Sequence, residues 1–226
     1  MAAGRSHPAT STRTRVRRLP ERGVYDRSAI DEVLDAGLVA HLGFVHEGQP
    51  FVIPTLHARL GDRVYVHGSA ASRTLRGLAT GIPACLTVTL LDGIVLARSV
   101  FEHSMNYRSV LVLGTATRVD DPAEKLLALE AFTEKLLPGR WTEARRPTQK
   151  ELKATSVLRL PLDEASAKIR AGGPTDGETP DAELDVWAGH LPLVVRALAP
   201  VPDPSLRPGI PVPPALMPFH RPGLVE

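Results

Sequence analysis

A single cysteine, Cys85, stands in 226 residues, so no disulfide can form within the chain and no thiolate cluster can hold a metal. Its neighbours Ala84, Leu86 and Val88 make it a packed strand residue rather than a nucleophile. This sparing use of cysteine suits a reducing compartment, and the expected location is the cytoplasm. Apolar runs are short as well. None approaches the roughly 18–20 residues needed to cross a bilayer as a helix, so no membrane partner is expected. Aromatic residues make up only 4% of the chain, which leaves little to seal a large core. No pair of carboxylates is placed for acid–base work: Asp120-Asp121 precedes a helical pattern and reads as a cap. No residue therefore announces itself as catalytic.

Positive charge is not lacking, but it is unevenly placed. Residues 1–23 hold six Arg and one Glu, while the rest of the chain holds 21 basic against 24 acidic residues. The folded part therefore offers no basic surface for nucleic acid. The Arg-rich start has no apolar stretch of the kind a secretory signal needs, and it reads as a disordered tail. The excess of Arg over Lys fits a GC-rich bacterial genome.

Hydrophobic periodicity divides the remainder. A short helix is expected over 28–37, capped by Ser28 and ended by Gly37. Strand-like runs follow, Val39–Val45 and Phe51–Arg59, joined by a turn at Glu47-Gly48-Gln49. A second turn at Leu60-Gly61-Asp62 leads to Val64–His67. Asp92-Gly93 reads as a hairpin turn between strands Cys85–Leu91 and Ile94–Arg98. A long strand is expected over Ser109–Val119, and a later one over Thr155–Leu162. Two helices interrupt the strands, Ser72–Thr80 and Pro122–Leu137. The fold class is mainly β with peripheral helices, a mostly antiparallel β-barrel. Three regions result: the tail (1–23), a barrel domain (24–171) and a Pro-rich extension (172–226) that packs on the barrel or on a dimer partner.

Two stretches carry candidate chemistry. In the first, His67-Gly68-Ser69-Ala-Ala-Ser72-Arg73, a strand ends in a Gly and two Ser before a helix begins. Free N–H groups at a helix start attract anions. Gly68 permits close approach of the backbone, Ser69 and Ser72 offer hydroxyls, and Arg73 offers a forked donor suited to phosphate. The second stretch, Phe101 to Ser109, is polar where the chain should turn. There Tyr107, Arg108 and Ser109 could reach a ligand across the barrel mouth.

Together with Ala40–Val45, Gly48–Thr55, Thr87–Gly93, His103–Ser109 and Val186-Trp187-Ala-Gly, these stretches resemble the pyridoxamine 5′-phosphate oxidase-related proteins with the FMN-binding split barrel. The branch most resembled is that of the flavin-nucleotide-binding proteins near the nitroimidazole-resistance proteins. The resemblance runs over roughly residues 24–195. It implies a homodimer with flavin between the subunits, FMN in the first instance, with FAD, a deazaflavin or haem as alternatives. It places Pro54 and Thr55 along the isoalloxazine ring. His67, Gly68, Ser69, Ser72 and Arg73 match the phosphate and ribityl region, and Asn106, Tyr107, Arg108 and Ser109 match a second contacting strand. Trp187 could stack on a cofactor edge or anchor the C-terminal extension. If haem is bound, His67 and His103 are the candidate ligands. The phosphate lysine of the true oxidases has no counterpart after Arg73, where Arg76 and Gly77 stand. The implied activity is electron transfer from NADH or NADPH to a small-molecule substrate or acceptor. The rival reading is a flavin or haem carrier or sensor with little turnover.

Overall fold

The computed structural model describes residue 9 and residues 11–216. Its elements run in the order β1 (Gly23–Val24), α1 (Arg27–Ala36), β2 (Val39–His46), β3 (Gln49–Leu60), β4 (Arg63–Ser69), α2 (Arg73–Leu78), β5 (Pro83–Leu96) and β6 (Ser104–Thr115). They continue with β7 (Thr117–Arg118), α3 (Pro122–Leu136), α4 (Arg140–Glu143), α5 (Gln149–Ala154), β8 (Thr155–Pro161), β9 (Glu164–Arg170) and β10 (Gly189–Pro192). All strand pairs among the described residues are antiparallel, in the order β1-β9-β6-β5-β2-β3-β4-β8-β7. The circuit closes through the chain itself, because β7 continues β6 past the buried Ala116 and pairs with β8. Strand β3 makes the split. Its first part pairs with β2 from Gln49 to Leu56, and its last four residues, His57–Leu60, turn to β4. The β-barrel architecture is the expected one.

Alternation along the strands fills the barrel with small and branched side chains. Leu42, Val64, Val66, Leu86, Val88, Val110, Val112, Leu158 and Leu160 are all buried. Burying each contributes about 1.5–3 kcal/mol. Helix α1 closes one end with Ile30, Val33 and Leu34. Gly37 follows it because a Cβ there would collide with Val88. The N-cap position is Asp26 rather than Ser28. A second, smaller core lies outside the barrel, where α3 lays Ala128 and Phe132 over Tyr65 and Val157.

The Asp92-Gly93 turn is not observed. Strand β5 runs straight through, with Asp92 bulged out between the pairs Leu91–Tyr107 and Gly93–Asn106. Two neighbours hold the strand extended there: β6 on one edge and β10 on the other, with Gly93 opposite Pro192. Glycine is needed at 93 for approach rather than for turning, since a Cβ would lie 2.9 Å from the Leu191 carbonyl oxygen. The true tight turn is Glu47-Gly48, both at positive φ (50° and 77°) between the paired His46 and Gln49.

Part of the expected disordered tail also packs. Thr14 is buried, the Val16 N–H donates to the Tyr25 hydroxyl at 2.8 Å, and Arg13 pairs with Glu164. The expectation does not hold for residues 11–22; residues 1–8 and 10 lie outside the described residues. At the other terminus, Asp176 is buried and accepts from the Ser99 N–H at 3.2 Å, and β10 joins β5. Beyond β10 the chain runs on with Val194, Val195, Leu198 and Val201 exposed. Residues 217–226 lie outside the described residues.

Candidate functional site

The turn from β4 into α2 leaves its polar groups available. Ser72 caps α2 by accepting from the Leu75 N–H at 3.4 Å, and Ser69 accepts from the Ala71 N–H at 3.1 Å. Both hydroxyls thus use a lone pair locally and keep an O–H to donate. The turn is pinned to β8 by the Ala70 N–H on the Ala154 carbonyl at 2.8 Å. Arg73 is exposed and makes no hydrogen bond or ion pair among the described residues. Arg76, one turn on, reaches back to the Ala71 carbonyl at 3.0 Å. Gly68 lies close over Leu75, at 2.9 Å from where its Cβ would stand. This is a preformed rim with one uncommitted guanidinium, the arrangement a phosphate needs.

The second candidate stretch is differently disposed. Its last six residues, Ser104–Ser109, lie in β6, and alternation puts Tyr107 and Ser109 on one face and Asn106 and Arg108 on the other. Asn106 is buried, with its amide nitrogen on the Gly172 carbonyl at 3.1 Å and its oxygen held by Arg170. Arg108 grips both oxygens of Asp92, at 3.0 and 2.8 Å, and lies 3.6 Å from Glu32. Both of these side chains have partners within the barrel wall, and Tyr107 and Ser109 lie on the opposite face of the strand. Ser109 donates to the Lys168 carbonyl at 3.1 Å. Nine residues of extended strand, roughly 30 Å, separate Asn106 from Thr115 at the α2 end of the barrel. The two clusters therefore do not converge within one chain.

Pro54 and Thr55 also point to opposite faces. Pro54 stands in an outward row with His41, Thr87, Leu111 and Ser166, whereas Thr55 follows Ala40 and Val88 on the core side. Arg13–Arg18 cover part of the outward face and leave a cleft of about 440 Å³ floored by Thr87, Thr89, Ser109 and Ser166. Trp187 is 67% exposed and folds back on Gly189. His103 is exposed and its Nδ1 lies 3.0 Å from the Ser99 carbonyl, so it braces its own turn.

His67 is set apart from the serines. Its ring packs against Phe132 at 4.3 Å between centroids, and it lines a cavity of about 400 Å³ with Leu129, Leu136, Trp141, Pro147 and Arg145. Neither ring nitrogen is hydrogen-bonded among the described residues, and Nδ1 is buried. Burial lowers its pKa, favouring the neutral imidazole. The walls come from α3, α4 and α5, of which only α3 was read from the sequence. The missed signal was the Thr148–Glu151 capping box that starts α5. His57 is buried elsewhere, its Nε2 2.9 Å from the Leu34 carbonyl and 3.0 Å from the Lys135 ammonium. It is a core residue.

The family profile described as pyridoxamine 5′-phosphate oxidase matches residues 26–169. The chain belongs to this family. Among solved structures, the flavocytochrome Anf3 from Azotobacter vinelandii is 42% identical with a TM-score of 0.87, covering 92% of this chain and 97% of that one. The FAD and haem binding protein from Mycobacterium smegmatis is 39% identical with a TM-score of 0.83, covering 87% and 96%. A putative 5-nitroimidazole antibiotic resistance protein from Bacteroides thetaiotaomicron shares the fold at 19% identity and a TM-score of 0.54, over 65% of this chain and 86% of that one. No curated protein matches the chain. Within the family's split barrel, the β4–α2 rim and the His67 ring keep hydrogen-bonding capacity that no described residue uses. Among the described residues no group of His, Cys, Asp and Glu is placed to hold a metal ion, and no helix is long and apolar enough to cross a membrane.

Proposed function

We propose that this protein is a flavoprotein that holds a flavin nucleotide by its phosphate at Ser69, Ser72 and Arg73, and passes electrons from NADH or NADPH to a small acceptor. The observation that carries the reading is the uncommitted Arg73 beside Ser69 and Ser72, whose hydroxyls each accept one local N–H and keep an O–H to donate. The flavin supplies the redox chemistry when bound; the protein binds, orients and shields it. Family membership and the two relatives near 40% identity support the ligand class.

A homodimer completes the site. Pro54, Tyr107 and Ser109 lie far from Arg73 in one chain, and a two-fold partner would bring one chain's strand surface to the other's rim. Apolar surface for such a partner is present. Leu191, Ile94 and Met105 are directly opposed across β10, β5 and β6, and all three are exposed. The exposed arm after β10, led by Val194 and Val195, would lie over the partner. Mass spectrometry of the extracted chromophore identifies FMN, FAD or a deazaflavin. Anaerobic NADH and NADPH titration then separates an enzyme, which bleaches the flavin and reoxidises it with an acceptor, from a carrier, which does neither.

A specific observation favours haem as a second group. The His67 cavity offers a neutral imidazole beside the apolar side chains of Leu129, Phe132, Leu136 and Trp141, which would suit a haem ligand and a porphyrin face; its lining arginine, Arg145, is already held by both oxygens of Glu151, at 3.0 and 2.7 Å. A haem there would be held through His67, with Phe132 and Trp141 packing around it. His103, braced in its turn, lacks such a cavity. Haem uptake followed by its Soret band, lost in His67→Ala and kept in His103→Ala, tests this reading.

A further inference from the structure

The Arg-rich start of the chain, read from the sequence as a tail, is in part a strap with a fixed backbone and unengaged arginines. Thr14 is buried, the Val16 N–H donates to the Tyr25 hydroxyl at 2.8 Å, and the Lys168 ammonium donates to the Arg18 carbonyl at 3.2 Å. Arg13 is paired with Glu164. Arg15, Arg17 and Arg18 are exposed, and their guanidinium groups make no hydrogen bond or ion pair among the described residues. With Arg13 and Lys168 they line the cleft of about 440 Å³ over the outer face of β5, β6 and β9, and no carboxylate lines it among the described residues. Residues 1–10 carry no Asp or Glu either, so the stretch ahead of the strap holds no counter-ion for it. The floor offers donors. Thr87 and Ser166 stand in one cross-strand row, and Thr89 and Lys168 in the next. With strands about 4.8 Å apart, the two members of a row lie roughly 10 Å apart, and the rows are about 7 Å apart along the strands. Ser166 is only 4% exposed, yet its hydroxyl makes no hydrogen bond among the described residues, and neither do those of Thr87 and Thr89.

A cationic roof over a floor of unpaired hydroxyls, one of them buried, suits a phosphorylated anion. Guanidinium forks, an ammonium and hydroxyls can all donate to phosphate oxygens. The donor field is wider than one phosphate, so a single phosphate leaves one edge unmet, whereas two linked phosphates reach both. Among the described residues no aromatic side chain lines the cleft for a base to stack on, which sets it apart from a groove for single-stranded nucleic acid. We propose that this cleft is an anion site, separate from the rim at Ser69, Ser72 and Arg73, that takes a diphosphate, free or carried on a nucleoside. Arg15, Arg17 and Arg18 would meet the phosphates from the strap, and Thr87 and Ser166 from the floor. None of the rim residues lines the cleft, so the site stands or falls independently of the flavin reading.

The test is calorimetric titration of the full-length protein with inorganic pyrophosphate, orthophosphate, citrate and ADP at constant ionic strength, with and without added FMN. Pyrophosphate is expected to bind once per chain and at least tenfold more tightly than orthophosphate or citrate, the margin that further charge-assisted bonds provide, whether or not FMN is present. The double variant Arg17→Gln, Arg18→Gln is expected to lose at least tenfold in pyrophosphate affinity and Ser166→Ala severalfold, both with an unchanged thermal midpoint in the absence of the anion. Arg73→Ala is expected to lose none. Tighter binding of ADP than of pyrophosphate names a nucleotide as the source of the diphosphate and the reverse order names the free ion; both orders support the site. No binding in the millimolar range, a preference for citrate, displacement of pyrophosphate by FMN, or full affinity in the double variant overturns the proposal. So does binding of a single-stranded oligonucleotide in preference to both diphosphates.

Discussion

Arg73 and Arg108 were both candidates for a ligand-binding arginine, yet the fold treats them oppositely. Arg73 sits on an exposed turn with its guanidinium uncommitted. Arg108 is held by Asp92 and Glu32 in the barrel wall. The histidines repeat the contrast, with His57 bonded inside the core and His67 facing a cavity with no partner. Residue type says what a side chain can bind; only the surrounding donors and acceptors say whether that capacity is still free. The functional reading follows the uncommitted member of each pair.

The largest expected effect concerns the committed histidine. Burial, with the nearby Lys135 charge, lowers the His57 pKa from 6.5 to about 4. Between those values the unfolded chain binds more protons than the folded one, so stability is complete above about pH 6.5 and declines as pH falls toward about 4. The loss should be on the order of 3 kcal/mol at full protonation. Urea denaturation at stepped pH should show this slope, and His57→Gln should flatten it. An unchanged slope would mean that other groups govern acid sensitivity.

Next come the arginines. Arg73→Ala should weaken flavin binding roughly ten- to a hundredfold, the worth of a charge-assisted hydrogen bond of about 1.5–3 kcal/mol, with no shift in unfolding midpoint. Arg108→Ala should do the reverse. It leaves Asp92 unpaired and should cost about 1–2 kcal/mol of stability, measured by thermal unfolding of the flavin-free protein. If Arg108→Ala reduces flavin affinity as much as Arg73→Ala at full stability, the contrast between them is wrong. Arg76→Ala should have the smallest effect on FMN, under about threefold, because its one observed bond is to the Ala71 carbonyl and exposed contacts of this kind contribute little.

The barrel was largely legible in the sequence because alternation, turn glycines and Pro122 act locally. The helix start at Ser72 and the hairpin turn at Glu47-Gly48 followed from local chemistry alone. Asp92-Gly93 misled for a non-local reason: β10, about a hundred residues away, pairs there and holds the strand straight. The packed stretch 11–22 was hidden likewise, since Thr14 is buried and Val16 half-buried against a surface supplied by β9 and Tyr25 rather than by their own periodicity. At the site, Gly68, Ser69, Ser72 and Arg73 stood together in sequence and remain together in space. The His67 cavity needed α4 and α5, two helices too short to leave a hydrophobic period.

The central claim is that the β4–α2 rim binds the phosphate of a flavin nucleotide. The direct measurement is the affinity of the flavin-free protein for FMN and for riboflavin, which differ only in that phosphate, in the wild type and in Arg73→Ala. FMN should bind the wild type at least tenfold more tightly than riboflavin, and Arg73→Ala should close most of that gap while leaving riboflavin affinity unchanged. Equal wild-type affinities for the two, or a gap that survives loss of Arg73, would contradict the assignment.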